Sequence, residues 1–530
     1  MDFEWVAIAL GDVTWITLAF VLGFAARLIN LPPLVGFLAT GFILNYFGVV
    51  SGEMLQKLAD LGITLLLFTV GLKLNLKVLI KPQVWGVTLI HVCVVTILFG
   101  LLIFAFANLH LPLFSQLDLK LAALLAFAFS FSSTVFVVKV LEEKGDMNSL
   151  HGRIAIGILV IQDLAAVVFL AASTGKAPSY WALLLILLIP MRSVFHYLLK
   201  KCGHGELLVL YALVLALGGA ELFELGGIKD DLGAIFMGVL ISSHPKSSEM
   251  ARSMLSFKDL FLVGFFLSIG ISGNLSLEAL WIGLLVVPLI FIKSSLFFAL
   301  MTRFRLRART SLIASINLSN YSEFGLIVVA IGVSNQWIAA DWLVVMAIAL
   351  SVSFVVAAPL NSYDNKIYGR HRKFWRKLQL KERLADDPLV DIQNATIAIF
   401  GMGRIGCGTY DKMFELHGDT VVGVDFDYDR VEKLQKDGRV VLHGDPSDAD
   451  FWDKIEKSHC LNLVMLALPS FQANMDVLEQ MQEVAFDGKI AVTARYQDEV
   501  EPLQKAGATA VFNMYRESGL GFANHVQEQF

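Results

Sequence analysis

The chain has 530 residues, 56% of them hydrophobic and only 17% charged, with a formal net charge of −5 and a mean hydropathy of +0.66. That balance excludes an ordinary soluble domain and gives no reason to expect a nucleic-acid partner. It is the composition of a polytopic membrane protein. Cys93, Cys202, Cys407 and Cys460 show neither disulfide nor metal-ligand spacing and read as free thiols.

The N-terminal stretch lacks the basic start of a cleaved signal peptide, so the first apolar segment is expected to remain as an anchor helix. Hydropathy predicts thirteen spans, near residues 12–30, 33–50, 58–76, 84–108, 119–141, 153–174, 179–199, 206–222, 228–243, 258–272, 277–301, 310–333 and 341–361. Lys and Arg gather in alternate loops, from Arg27 through Lys139, Lys144 and Arg153 to Arg303, Arg305, Arg307 and Arg309. By the positive-inside rule these loops and the C-terminus are cytoplasmic.

Span 5 carries "AFSFSSTVFVV", with Ser130, Ser132, Ser133 and Thr134 in mid-membrane. Span 12 carries "SINLSNYSEFGLIV", with Asn317 to Glu323 at a similar level. Both read as broken helices, because unwound backbone is tolerated at membrane depth where it lines a cavity and coordinates ions. Their offset of seven spans predicts an inverted repeat.

Span 6 reads "GILVIQDLAAVVFL", with Gln162 beside Asp163. Counted from Arg153 at about 1.5 Å per residue, Asp163 lies roughly 15 Å deep. Lys293 in "LIFIKSSLFFAL" reaches about the same depth on another span. Opposite charges at one level are expected to be partners, and an intramembrane acid marks an ion pathway; a fixed structural ion pair is the alternative reading.

Residues 362–394 are charged and basic at first, which predicts a helical linker on the cytoplasmic membrane surface. From residue 395 short apolar runs alternate with helical lengths, which predicts a doubly wound parallel sheet of about six strands. "IAIFGMGRIGCGTYDKMFELHGDTVVGVDFD" places Gly401, Gly403 and Gly406 between a strand and a helix, with Arg404 and Ile405 at the variable positions. Asp425 ends the next strand, where an acid hydrogen-bonds a ribose. Glycine allows backbone to approach phosphate, and the helix N-terminus supplies free N–H groups.

This domain resembles the potassium-transport nucleotide-binding (KTN or RCK) type, also through "HGDPSDADFW" and "VTARYQDEVEPLQKAGATAVFN". The resemblance implies a regulatory AMP or NAD(H) site and dimerisation. Asp445 matches the family's "GD" acid and Arg495 its "AR" arginine.

"NLPPLVGFLATGFILN", "LADLGITLLLFTVGLKLNL", "FSFSSTVFVVKVLEEKGDMNSLHGRIAIGILVIQDLAAV" and "FKDLFLVGFFLSIGIS" resemble the monovalent cation:proton antiporter-2 family, specifically its Kef-type potassium:proton members. The resemblance covers nearly the whole chain. It implies an NhaA-like antiporter fold over residues 1–361, with a Rossmann-type regulatory domain at 395–530 and a homodimer formed through both. Asp163 is then the exchange carboxylate, Gln162 a neutral co-ligand and Lys293 the partner, with Ser132, Ser133, Thr134 and Glu323 at the crossing.

Two departures stand out. "HPKSSEMARSMLSFKD" replaces the acidic loop of glutathione-gated relatives, and Tyr321-Ser322 precede Glu323 where glycines are usual.

The expected function is potassium:proton exchange by alternating access in a bacterial inner membrane, regulated by nucleotide, with no enzymatic activity and no metal site. One acid in the site predicts one cation for one proton. Sodium:proton exchange and a nucleotide-gated potassium channel are the alternatives, though no TVGYG-type filter is present. An NAD-dependent membrane oxidoreductase is a third, without a catalytic acid to support it.

Overall fold

The computed structural model describes residues 4–28, 33–49, 53–73, 81–109, 111, 113–144, 146–147, 149–173, 179, 184–185, 187–227, 230–272, 276–380, 384, 395–446, 451–452, 461–468, 470–484 and 486–529. They form two compact units. The first holds residues 1–134, 156–300 and 315–362; the second holds 135–155, 301–314 and 363–530.

The helices of the apolar region are α1 (Glu4–Leu28), α2 (Pro33–Tyr46), α3 (Glu53–Lys73), α4 (Pro82–Asn108), α5 (Leu119–Ser130), α6 (Thr134–Lys144), α7 (Leu150–Ser173) and α8 (Arg192–Lys201). They continue with α9 (Glu206–Leu225), α10 (Asp230–Ile241), α11 (Ser247–Ser272), α12 (Leu277–Val286), α13 (Leu289–Arg303), α14 (Ala308–Asn317), α15 (Glu323–Ser334) and α16 (Asp341–Ser362). Among the described residues, seven helical stretches are long and apolar enough to cross a membrane, from Leu55–Leu72 to Asp341–Ser362.

Close helix contacts rest on small residues, as lipid-embedded packing favours. A Cβ on Gly71 of α3 would lie 2.4 Å from the Ile235 carbonyl oxygen of α10, and one on Gly238 would lie 2.3 Å from the Phe68 carbonyl oxygen. The two backbones therefore touch where these glycines face each other.

Both predicted breaks are present. Helix α5 stops at Ser130 because Phe131 turns extended (φ −76°, ψ 151°), and α6 starts at Thr134. Helix α14 stops at Asn317; Ser322 is extended (φ −116°, ψ 148°), and its hydroxyl caps the Phe324 N–H at the start of α15. Ser and Asn side chains compete for backbone groups and so favour such interruptions. A further interruption separates α12 from α13 at Pro288, which has no N–H to continue the ladder.

Of the expected span at 179–199, residues 180–183 and 186 lie outside the described residues. Its described part has short 3-10 turns at 184–185 and 187–188, turns at Ile189 and Pro190, and α-helix only from Arg192.

In the second unit the linker begins as helix α17 (Asp364–Lys377), kinked at His371; residues 381–383 and 385–394 of the expected linker lie outside the described residues. Six strands follow: β1 (Ile397–Phe400), β2 (Val421–Asp425), β3 (Val441–His443), β4 (Leu463–Leu466), β5 (Lys489–Ala494) and β6 (Ala510–Asn513). All pairs are parallel, in the order β3-β2-β1-β4-β5-β6. Between and after them run α18 (Arg404–His417), α19 (Tyr428–Lys436), α20 (Phe471–Glu483), α21 (Val500–Lys505) and α22 (Met514–Gln529). Strands β1 and β2 are buried at every position, as helices on both faces of a parallel sheet require. The strand order reverses between β1 and β4, and a crevice opens at their carboxyl ends, the usual ligand position of this architecture.

Candidate functional site

The first site lies where the two breaks meet. Ser132 Oγ donates to the Leu318 carbonyl at 2.8 Å, and the Ser133 N–H donates to Asn320 Oδ1 at 2.7 Å. Asn320 Nδ2 returns to the Asn317 carbonyl at 2.8 Å. Each extended stretch thus satisfies polar groups of the other, as backbone without water must be satisfied.

Asp163, buried on α7, accepts from Thr134 Oγ1 at 2.9 Å. Thr134 is the first residue of α6, so the carboxylate stands at the positive end of a half-helix. Glu323 holds the matching place in the first turn of α15 and is also buried. Acids therefore sit at the N-terminal ends of both second halves.

Lys293 serves the opposite ends. Its buried ammonium donates to the Phe131 carbonyl, the C-cap of α5, and to the Asn320 carbonyl beyond α14 at 2.7 Å. It also lies over the Tyr321 ring, 5.3 Å from the centroid. The two hydrogen bonds described for the ammonium go to backbone oxygens at negative half-helix ends, so Lys293 has a role at the breaks beside the expected pairing with Asp163.

Gln162 is hydrogen-bonded to the break between α5 and α6. Its Oε1 accepts the Ser132 N–H at 2.9 Å and its Nε2 donates to the Ser130 carbonyl at 3.2 Å. The amide bridges the break in α5–α6, and losing it would orphan a buried donor and acceptor at about 1–3 kcal/mol each.

The sequence reading missed His91. Buried on α4, it stacks on Phe297 with centroids 3.4 Å apart, and its Nε2 meets the Lys293 carbonyl at 3.2 Å. An isolated imidazole in the apolar run "VTLIHVCVV" was the available signal.

The second site is a cavity of about 790 Å³ at the carboxyl ends of β1 and β4. Gly401, Gly403, Arg404 and Ile405 line it with Asp425 and Arg430, and Asn474, Thr493, Arg495 and Tyr496 are also among its lining residues. Gly401 has φ +87°, and a Cβ there would lie 2.5 Å from the Ala467 carbonyl oxygen. Gly406 stands behind the loop, where a Cβ would meet the Gly401 oxygen at 1.9 Å. Gly403 faces open space and caps α18 without a side chain, leaving first-turn N–H groups for an anion.

Asp425 ends β2 in the cavity wall. Its Oδ2 accepts from the Met402 N–H at 2.7 Å and from Arg430 Nη1 at 3.0 Å, and its Oδ1 accepts from the Asp427 N–H at 2.8 Å. A carboxylate has about four acceptor positions, so one remains for a ribose hydroxyl. Asn474 Nδ2 holds the Thr493 carbonyl at 3.1 Å, while its buried Oδ1 has no partner among the described residues. These groups fit a nucleotide: donors for phosphate, an acid for ribose and an amide oxygen for an amino group. Arg495 lies over Tyr496, 5.4 Å from the ring centroid. Asp445 is not among the lining residues; its Oδ2 pairs with Arg309 Nη1 at 2.8 Å.

Residues 16–361 match the sodium/hydrogen exchanger transmembrane family, and residues 397–514 match the TrkA-N domain. The chain belongs to the sodium/hydrogen exchanger family, in the Kef-type arrangement with a C-terminal TrkA-N domain. It is 26% identical over 546 residues to YbaL of Escherichia coli (strain K12), a protein assigned as a cation/proton antiporter, covering 95% of this chain and 94% of that one. It is 25% identical over 516 residues to the glutathione-regulated potassium-efflux system protein KefC of Cronobacter sakazakii (strain ATCC BAA-894), covering 92% and 80%. The sodium proton antiporter MjNhaP1 from Methanocaldococcus jannaschii is similar in structure over 69% of this chain and 99% of its own, with 15% identity and a TM-score of 0.48. The protein is a multi-pass membrane cation/proton antiporter with a Rossmann-like C-terminal domain.

Proposed function

We propose that the protein exchanges potassium for protons, one for one, at Asp163. The observation that supports this most is a single acid hydrogen-bonded at the α6 N-terminus, with Gln162 committed to the backbone break. A carboxylate there holds a dehydrated monovalent cation or a proton, not both. Alternating exposure of that group to the two sides then couples the two fluxes, and with Asp163 as the group that exchanges the proton the cycle moves no net charge.

Potassium as the cargo rests on the resemblance to potassium-efflux relatives, and a bacterial inner membrane with a cytoplasmic C-terminus on the alternation of basic loops. AMP or NAD(H) in the 790 Å³ cavity regulates the exchange. A homodimer is supported by the edge position of β6 and by exposed Tyr515, Leu520 and Phe522 on α22.

The test is proton flux in proteoliposomes driven by potassium, sodium or lithium gradients, with and without an imposed voltage. Potassium should give the largest flux, and voltage should leave it unchanged. Full exchange in Asp163→Asn would sink the mechanism, a strong voltage dependence the stoichiometry, and flux with sodium alone the cargo.

A further inference from the structure

The half-helices α6 and α14 belong for most of their length to the second compact unit, since 135–155 and 301–314 group with 363–530. Within that unit the outer end of each is tied. At the start of α14, buried Arg309 pairs with Asp445 Oδ2 at 2.8 Å through Nη1 and donates to Asn365 Oδ1 at 3.0 Å through Nη2. The neighbouring Ala308 N–H donates to Gln379 Oε1 at 2.8 Å. At the end of α6, Lys144 Nζ pairs with Asp364 Oδ2 at 2.6 Å. The Lys144 carbonyl accepts from Ser470 Oγ at 3.4 Å.

Ser470 does more than this. It caps α20, accepting the Ala473 N–H at 3.2 Å, and it lines the nucleotide-type cavity. Met147, three residues beyond α6, lines the same cavity. The cavity wall therefore includes a residue just beyond a half-helix whose first residue, Thr134, holds Asp163.

We propose that a nucleotide in this cavity controls exchange through these two ties, Asp445–Arg309 on α14 and Asp364–Lys144 with Ser470 on α6. The proposal rests on the reading of the cavity as a nucleotide site. Filling the cavity displaces Ser470 and Met147, which line it, and Asp425, whose carbonyl accepts the Gly444 N–H at 2.9 Å next to Asp445. A buried arginine follows its carboxylate because separation would strand a desolvated charge. An α-helix transmits displacement along its axis, and α6 spans about 15 Å at 1.5 Å per residue. The movement reaches Thr134 on one side and the break after Asn317 on the other. Asp445 acts here as a positioning residue, at the place where the sequence motif suggested a nucleotide ligand.

The test uses the full-length protein in proteoliposomes, with potassium-driven proton flux measured with and without NADH or AMP. Nucleotide affinity is measured on the same preparations by calorimetry. The variants are Arg309→Gln, Asp445→Asn, Lys144→Gln and the exchange Arg309→Asp with Asp445→Arg. The parent flux should change about 5-fold or more on adding nucleotide, the usual scale of a coupling between sites.

Arg309→Gln and Lys144→Gln should bind nucleotide within about 2-fold of the parent while losing most of that response, and the charge exchange should recover it relative to Asp445→Asn. A full response in the single variants overturns the ties alone. Loss of nucleotide binding in Arg309→Gln also overturns them, because it places Asp445 in the binding site. A parent that binds nucleotide without a change in flux overturns regulation, and one that binds none overturns the cavity reading; the proposal falls with either.

Discussion

Thr134 Oγ1 donates to Asp163 Oδ2 at 2.9 Å, tying the first residue of α6 to the proposed exchange carboxylate on α7. A hydroxyl at a half-helix start orients the acid and leaves its second oxygen turned elsewhere. Thr134→Val keeps the shape and removes the donor. A hydrogen bond to a charged group contributes about 1.5–3 kcal/mol, so the half-saturating potassium concentration should rise roughly 10-fold or more. Initial rates against potassium concentration measure it; an unchanged value would mean that the hydroxyl does not touch the transported ion's site.

Lys293 carries a different expectation from that of a counter-ion. Its ammonium is held by the carbonyls of Phe131 and Asn320, so Lys293→Met leaves two negative half-helix ends unsatisfied. The loss should be about 2–4 kcal/mol, seen as a lower melting temperature in detergent. Combined with Asp163→Asn, the effects on stability should add to within about 0.5 kcal/mol. A coupling well above that would show a direct Asp163–Lys293 pair.

Gly401 and Gly403 separate folding from binding. Gly401→Ala meets both a left-handed φ of +87° and the Ala467 carbonyl oxygen at 2.5 Å, so the second unit should lose stability. Gly403→Ala meets no atom within 4 Å and should leave the melting temperature unchanged, yet its methyl stands in the cavity where phosphate would approach. Nucleotide affinity should then fall by about 10-fold or more, as for about 1.4 kcal/mol lost. Calorimetry on the two variants checks this, and normal affinity in Gly403→Ala would move the phosphate elsewhere.

Asp476 on α20 predicts a pH dependence. Burial pushes its carboxyl up from 3.8 to about 6; Asp364 and Asp146 add to this, against the Gln472 hydrogen bond and Lys144. Because the folded value lies above the unfolded one, the protonated acid favours the fold. That contribution is complete below about pH 4 and is lost as the pH rises through about 6. Its size is at most about 3 kcal/mol. Melting curves from pH 4 to 7 should show the parent losing stability relative to Asp476→Asn across this window; parallel curves would remove the carboxyl from the account.

Both helix breaks and the glycine loop are legible in the sequence because they depend on local chemistry. Ser130 to Thr134 and Asn317 to Ser322 are polar runs inside apolar spans, and Gly401 and Gly406 have no room for a side chain. Directions and distant partners are not legible. Rise per residue fixes the depth of Lys293, but its azimuth depends on how α13 packs. The hydrogen bonds of the Gln162 amide to the Ser132 N–H and the Ser130 carbonyl depend on how α7 packs against the break. Asp445 sits in a recognisable motif, yet its partner Arg309 is 136 residues away.

The extended stretch 131–133 is three residues long, and that length sets a phase. Each residue of extended chain adds about 3.3 Å and turns the next side chain to the opposite face, so one residue inserted or deleted there would change how α6 is set against α7. Thr134 would swing away from Asp163, and Lys144 would leave Asp364 at the same time. The segment therefore tolerates exchange of its side chains more readily than any change in their number, and a single-codon insertion at Ser132 should silence exchange while the apolar pattern of the span remains intact.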